Sequence, residues 1–359
     1  MRSRYFVFQA LAVISRARWV STCALGVFAL GVLAISSCAA PPPAAPSVTP
    51  PPPDAPLQLG ALNDFVPAAG LRWLVTGSPR YFAQHPALAG TRQRWLTDQR
   101  LGAFAQATGV DLLRTEHALI AGFDLGTLYL ADASGWVGSP QEPFVDRLAG
   151  SARVQRPHPE VWRITGLVGS QPQALVRLAN AVLAVAVGDP LLARIVEYRA
   201  RGRLRDVAPA LHGAALSALP AELLEPGPLH VYVPGPFSEQ ALPEGAGLLT
   251  AASAVGAALE IDGAWLTLRL ALPGYWDEAR DAERLLALWH AFATSTLGSA
   301  LGLEDTREAV SVQASAQCLQ LSAALAVQRV LSGVEGLAEG RLGPLLEPAA
   351  GAQSPESPR

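Results

Sequence analysis

The dipeptide Asp262-Gly263 stands between two apolar runs, residues 254–261 and 265–272, and in the second Leu266, Leu268, Leu270 and Leu272 alternate with other residues. Asp-Gly suits the left-handed conformations of a two-residue turn, and period-two alternation turns one side of a strand to a core. This stretch is therefore an antiparallel hairpin, and it sets the terms for the rest. Further strands are predicted at residues 72–76, 118–123, 127–131, 161–168, 174–179, 182–187, 230–233 and 310–314, with another apolar pair around 319–326. Asn180, between two of these runs, marks a second hairpin.

Helices interleave with the strands. Asp189-Pro190 is a cap followed by proline at the first helical position, leading into residues 191–201 and stopped by Gly202. A longer helix is predicted over 276–297, with Leu285, Leu286, Trp289, Phe292 and Ala293 on one apolar stripe. Its acids Asp277, Glu278, Asp281 and Glu283 interleave with Arg280 and Arg284, which describes a solvated, salt-laced face with an Asp281–Arg284 pair. Mixed elements without regular strand-helix-strand alternation argue for α+β: two similar halves, each an antiparallel-rich sheet backed by helices on one face. A weak repeat supports the duplication. Gly109-Val110-Asp111, then Glu116, His117, Ala118 and a strand pair, is echoed by Gly302-Leu303-Glu304, then Arg307, Glu308, Ala309 and a second pair. The chain divides into residues 1–37, 38–57, 58–225 and 226–343, the last two being the halves, and a tail at 344–359 predicted to be disordered.

Half of the 359 residues are hydrophobic and 16% are charged, enough apolar material for a packed core. All 27 basic residues are arginine. Without lysine there is no Schiff-base chemistry, no Ser-Lys hydrolysis and no nucleotide-phosphate loop of the Walker type. Removing the first 37 residues takes away four arginines and no acid, moving the formal charge from −3 to −7, so nucleic acid is excluded as a partner.

The N-terminus reads as an export signal. Residues 1–18 carry Arg2, Arg4, Arg16 and Arg18 without an acid, and 19–35 form an uncharged apolar run. The run ends in Ile35-Ser36-Ser37-Cys38, which resembles the lipobox of bacterial lipoproteins, with isoleucine where leucine is commonest. The resemblance implies cleavage before Cys38 and acylation of its thiol, with membrane lipid as the first partner. An uncleaved membrane helix is the other reading of the same run, and both put the body on the same side of the membrane. Ala39 and Ala40, rather than aspartate, follow the cysteine, which in Gram-negative lipoproteins implies the outer membrane, facing the periplasm or the surface. Nine of residues 41–56 are proline, an extended spacer reaching about 50 Å at ~3.1 Å per residue.

Cys23 falls in the signal and Cys38 takes the lipid, so Cys318 is left as the body's one thiol and is read as a small core residue. The body, with short strands around a helix running into Thr108-Gly109-Val110-Asp111, resembles lipoproteins of GC-rich bacteria that carry no known active site. His85, His117, His158, His212, His230 and His290 have no metal-binding spacing, so neither metal nor cofactor is predicted. No nucleophile elbow occurs. A triad assembled from distant residues is recognised by geometry and stays open.

Two weak binding candidates remain. Arg199, Arg201, Arg203 and Arg205 are the densest positive stretch, either complementing a helix C-terminus or holding an anion. Trp136, between Gly135 and Gly138, either projects its indole toward a partner or packs back onto the body. The sequence therefore reads as a lipid-anchored binding or scaffold protein with a possible envelope protein partner; the alternative is an envelope hydrolase with dispersed catalytic residues.

Overall fold

The structure, a computed structural model, describes residues 55–148, 150–237, 246–303 and 310–338. The export signal, Cys38, nearly all of the proline-rich linker and the tail lie outside them, as do Glu304, Arg307, Glu308 and Ala309 of the repeat.

Among the described residues, twelve strands form one antiparallel sheet. They are β1 (Leu71–Gly77), β2 (Ala118–Phe123), β3 (Thr127–Asp132), β4 (Arg153–His158), β5 (Val161–Val168), β6 (Gln171–Leu178), β7 (Val182–Val187), β8 (Leu229–Pro234), β9 (Ala254–Asp262), β10 (Trp265–Pro273), β11 (Val310–Ser315) and β12 (Cys318–Ala326). Their spatial order is β11-β12-β10-β9-β8-β1-β2-β3-β7-β6-β5-β4. The helices are α1 (Pro79–Gln84), α2 (Ala89–Trp95), α3 (Asp98–Thr108), α4 (Gln141–Arg147), α5 (Leu191–Ala200), α6 (Ala221–Leu224), α7 (Ala246–Ala251), α8 (Glu278–Ala293), α9 (Thr296–Ala300) and α10 (Val327–Ala338).

The fold is α+β, and its halves share the sheet. Strands β1–β7 form one contiguous block and β8–β12 the other, joined where β1 pairs antiparallel with β8 and Leu74 faces Tyr232. Both blocks follow one plan: three sequential strands lie side by side, a helix crosses one face, and the chain returns so that its last strand pairs with the third. In the first block β7 returns to β3, and in the second β12 returns to β10. This equivalence matches β1–β3 with β8–β10 and β6 with β11. The repeat read in the sequence has a different register, since it equates β2–β3 with β11–β12. Its local likeness is real: α3 and α9 both run into a left-handed glycine, Gly109 at φ +71° and Gly302 at φ +72°.

One face of the sheet buries Leu74, Ala121, Leu128, Ala186 and Val176 beneath Leu192, Val196 and Ala200 of α5 and the turns at Leu62–Phe65 and Leu216–Ala218. Each leucine so buried contributes about 1.5–3 kcal/mol. On the opposite face α8 lays Leu285, Trp289 and Ala293 against Leu272, Leu319 and Leu321, while Phe144 and Leu148 at α4 cover Ile164, Leu175 and Leu183. The first face continues into the second half, where Leu219 and Leu223 reach Gly256 of β9. The long predicted helix is two. α8 begins at its N-cap Asp277, whose carboxylate accepts from Arg280 N at 3.1 Å, and Ser295 caps the separate α9. Phe292 of the predicted stripe is 41% exposed. No helix among the described residues is long and apolar enough to cross a membrane.

Candidate functional site

The four arginines do not form one patch. Glu197, on the inner side of α5, is buried, and its carboxylate accepts Arg163 Nη1 from β5 at 2.7 Å and Arg201 Nη1, one turn on, at 3.1 Å. Arg199 donates through Nη2 to the carbonyls of Val207 and Ala208 at 2.8 and 2.9 Å, and burial pulls its pKa down, partly offset by Asp64. Arg203 lies 5.9 Å from the Tyr198 ring centroid. Arg199 and Arg201 are therefore spent inside the fold, and Arg203 and Arg205 are exposed. Charge density along the sequence concealed Glu197 and the arrival of Arg163 from another strand.

Trp136 packs back. Its backbone bridges to Val110, and its ring lies against the cluster of Val110, Phe144 and Leu175, with Arg177 at 5.5 Å from the ring. Glycine at 135 permits this, because a β-carbon there would lie 2.0 Å from the Thr115 hydroxyl. Val137, next in the loop, is 49% exposed. Nearby, Ser139, Gln141, Val145, Val154, Trp162 and Arg177 line an open depression of about 410 Å³.

The β2–β3 pairing assembles a cluster that sequence spacing does not show. Glu116, His117 and Asp132 bring one potential ligand atom each within 4.8 Å of one another. No metal-binding spacing marks this grouping along the sequence; strand pairing creates it. The local bonds show how each group is already engaged. Asp132 Oδ2 accepts the His117 N–H at 2.8 Å, Oδ1 accepts from Ser134 N at 3.1 Å and from its hydroxyl, and Glu116 N donates to Ser134 Oγ at 2.8 Å. Arg80 Nη1 holds Glu116 Oε1 at 2.7 Å. A divalent ion would compete with that guanidinium for Glu116. His117, Asp132 and Ser134 do meet here, but the hydroxyl bonds the carboxylate directly, and a proton relay needs the imidazole between them.

His230 and Cys318 are both drawn into the fold. His230 is 5% exposed, and burial, then Arg269, pulls its pKa below the usual histidine range. Cys318 is half-buried, its thiol pKa raised by burial, the opposite of what a reactive cysteine needs.

Leu125, Leu191 and Leu167, 78%, 55% and 46% exposed, share one end of the sheet. They sit at the β2–β3 turn, the start of α5 and the end of β5. Close backbone contact ties the first two connections together, since a β-carbon on Gly188 would lie 2.6 Å from the Leu125 carbonyl. The opposite end of the sheet holds the start of the described chain: the Ala55 carbonyl lies 3.1 Å from His158 Nε2, and Gln58 N donates to Ala200 O at 2.7 Å.

No family model matches the chain, and no curated protein matches it. Among solved structures it is similar to crystal form III of TP0453, with TM-score 0.40 and 8% identity over 78% of this chain and 99% of that one. Form I gives 0.41 and 10% over 78% and 98%, and form IV gives 0.40 and 11% over 76% and 95%.

Proposed function

We propose that this is a lipid-anchored protein of the bacterial cell envelope, held by acylated Cys38 at the outer membrane, whose body binds or scaffolds an envelope partner. The observation that carries the binding role is the leucine-tipped end of the sheet. Leu125, Leu167 and Leu191 stand exposed at the β2–β3 turn, the end of β5 and the start of α5, at the end opposite Ala55. Exposed apolar side chains grouped at one end of a rigid scaffold suit a contact site. A proline-rich spacer of about 50 Å lets that end work at a distance from the lipid.

The test is a photoreactive residue at position 125 or 191 of the full-length protein in intact envelopes. The reading predicts a discrete adduct at each position, the one at 125 lost on adding Leu191→Asp and the one at 191 lost on adding Leu125→Asp. The absence of any adduct at both positions contradicts it. The alternative, a hydrolase, would have to draw on His117, Asp132 and Ser134, although the hydroxyl there bonds the carboxylate rather than the imidazole. That reading requires Ser134 to react with a fluorophosphonate probe, and the binding reading predicts no labelling.

A further inference from the structure

The two edges of the sheet are built differently. At one, β4 carries Arg153, Arg156 and Pro157, and its register with β5 is irregular between Gln155 and His158. Charge, proline and irregular pairing are the devices that keep an edge from accepting another strand. At the other, β11 reads Val-Ser-Val-Gln-Ala-Ser, with no charge, no proline and an unbroken register against β12. Its equivalent in the first half is β6, which is flanked on the outside by β5 and β4. Among the described residues, the second half ends where the first continues.

We propose that β11 pairs with β11 of a second copy of this chain, antiparallel about a two-fold axis at Val312, making one continuous sheet of the two bodies. The hairpin register supplies the argument. Ser315 and Cys318 face each other across the two-residue turn 316–317. The closing pair of such a hairpin is hydrogen-bonded, and bonded pairs alternate from there. Ser315, Gln313 and Ser311 therefore direct their backbone groups toward β12. The N–H and C=O of Val310, Val312 and Ala314 point outward.

A two-fold axis at Val312 places Val312 opposite Val312 and Val310 opposite Ala314, so outward donors meet outward acceptors along the strand. The same axis keeps both faces in step. Val310, Val312 and Ala314 are half-buried under α8 and would continue one apolar face, while the exposed Ser311 meets the exposed Gln313 on the other. A charged edge would repel its own copy at these positions, and this one is neutral. Phe292, 41% exposed on the helix that crosses β11, adds apolar surface on that face. Self-complementarity favours a second copy over a foreign peptide, because the one strand supplies both sides of the match.

The experiment uses the full-length chain in native envelopes, with Ser311→Cys and Gln313→Cys in a Cys318→Ala background. Opposed residues in a non-hydrogen-bonded pair are about 4.5 Å apart between α-carbons, within disulfide reach. Mild oxidation should give a disulfide-linked dimer, and adding Val312→Pro, which removes an outward N–H, should abolish it. A purely monomeric product, a dimer indifferent to Val312→Pro, or a disulfide to a different polypeptide would overturn the proposal. As a control against misfolding by proline, Ser311→Lys with Gln313→Lys sets like charges opposite each other on the exposed face. In that variant the detergent-solubilised lipoprotein should sediment as a monomer where the parent sediments as a dimer; a parent that is monomeric also overturns it.

Discussion

His230 and Tyr232 share one side of β8, and the imidazole Nδ1 lies 2.8 Å from the phenol oxygen, which itself donates to the Leu223 carbonyl at 2.5 Å. The phenol hydrogen is thus committed to the carbonyl, so Nδ1 is the donor, and burial together with Arg269 disfavours a second proton on the ring. Burial reinforces this, lowering the histidine pKa and raising that of the tyrosine.

A pH dependence follows. The unfolded chain takes up a proton on His230 near pH 6.5, while the folded chain resists until a lower pH, so in that window acid favours the unfolded state. Stability is fully present above about pH 6.5 and declines as pH falls toward the native pKa. Urea melts from pH 7.5 to 5.5 should show this decline, and His230→Gln should flatten it. An unchanged slope in the variant would remove His230 as its source.

Glu197 is the linchpin between α5 and β5. Replacing it with alanine leaves Arg201 and Arg163, 9% and 16% exposed in their side chains, without a counter-charge. Breaking a buried pair from one side costs about 3–5 kcal/mol. Chemical denaturation should show that loss for Glu197→Ala, whereas Arg203→Ala, at an exposed position, should stay within about 0.5 kcal/mol.

The helix α8 gives a graded series. Trp289, 8% exposed against the β11–β12 side of the sheet, should cost about 3–5 kcal/mol when replaced by alanine. Phe292→Ala should cost clearly less, because 41% of that residue already faces water. Glu283→Ala should be neutral within about 0.5 kcal/mol. Equal costs for Trp289→Ala and Phe292→Ala in denaturant melts would contradict the packing described.

Where one face of a strand is buried, the sequence was readable. β2, β5 and β7 match their predicted limits, and the hairpin after Ile261 forms where it was read, though its turn is Gly263-Ala264 and Asp262 ends β9 opposite Trp265. β4 was missed because its residues are mostly exposed and include Pro157, so no alternation marks it. The break between α8 and α9 was missed because the apolar spacing continues through it, while Thr294 and Ser295 turn their hydroxyls to backbone carbonyls. The site residues were harder still. The fates of Arg201 and of the Glu116–His117–Asp132 cluster depend on which strands become neighbours, and local spacing carries no record of that.

The tether at Cys38 is the claim on which the functional account rests, and fatty-acid labelling tests it most directly. The full-length protein, expressed in a Gram-negative host fed a radiolabelled or alkyne-bearing fatty acid, should incorporate label and fractionate with the envelope. Cys38→Ala should incorporate none and remain uncleaved or be released. Label retained in Cys38→Ala, or no label in the parent, would contradict the account.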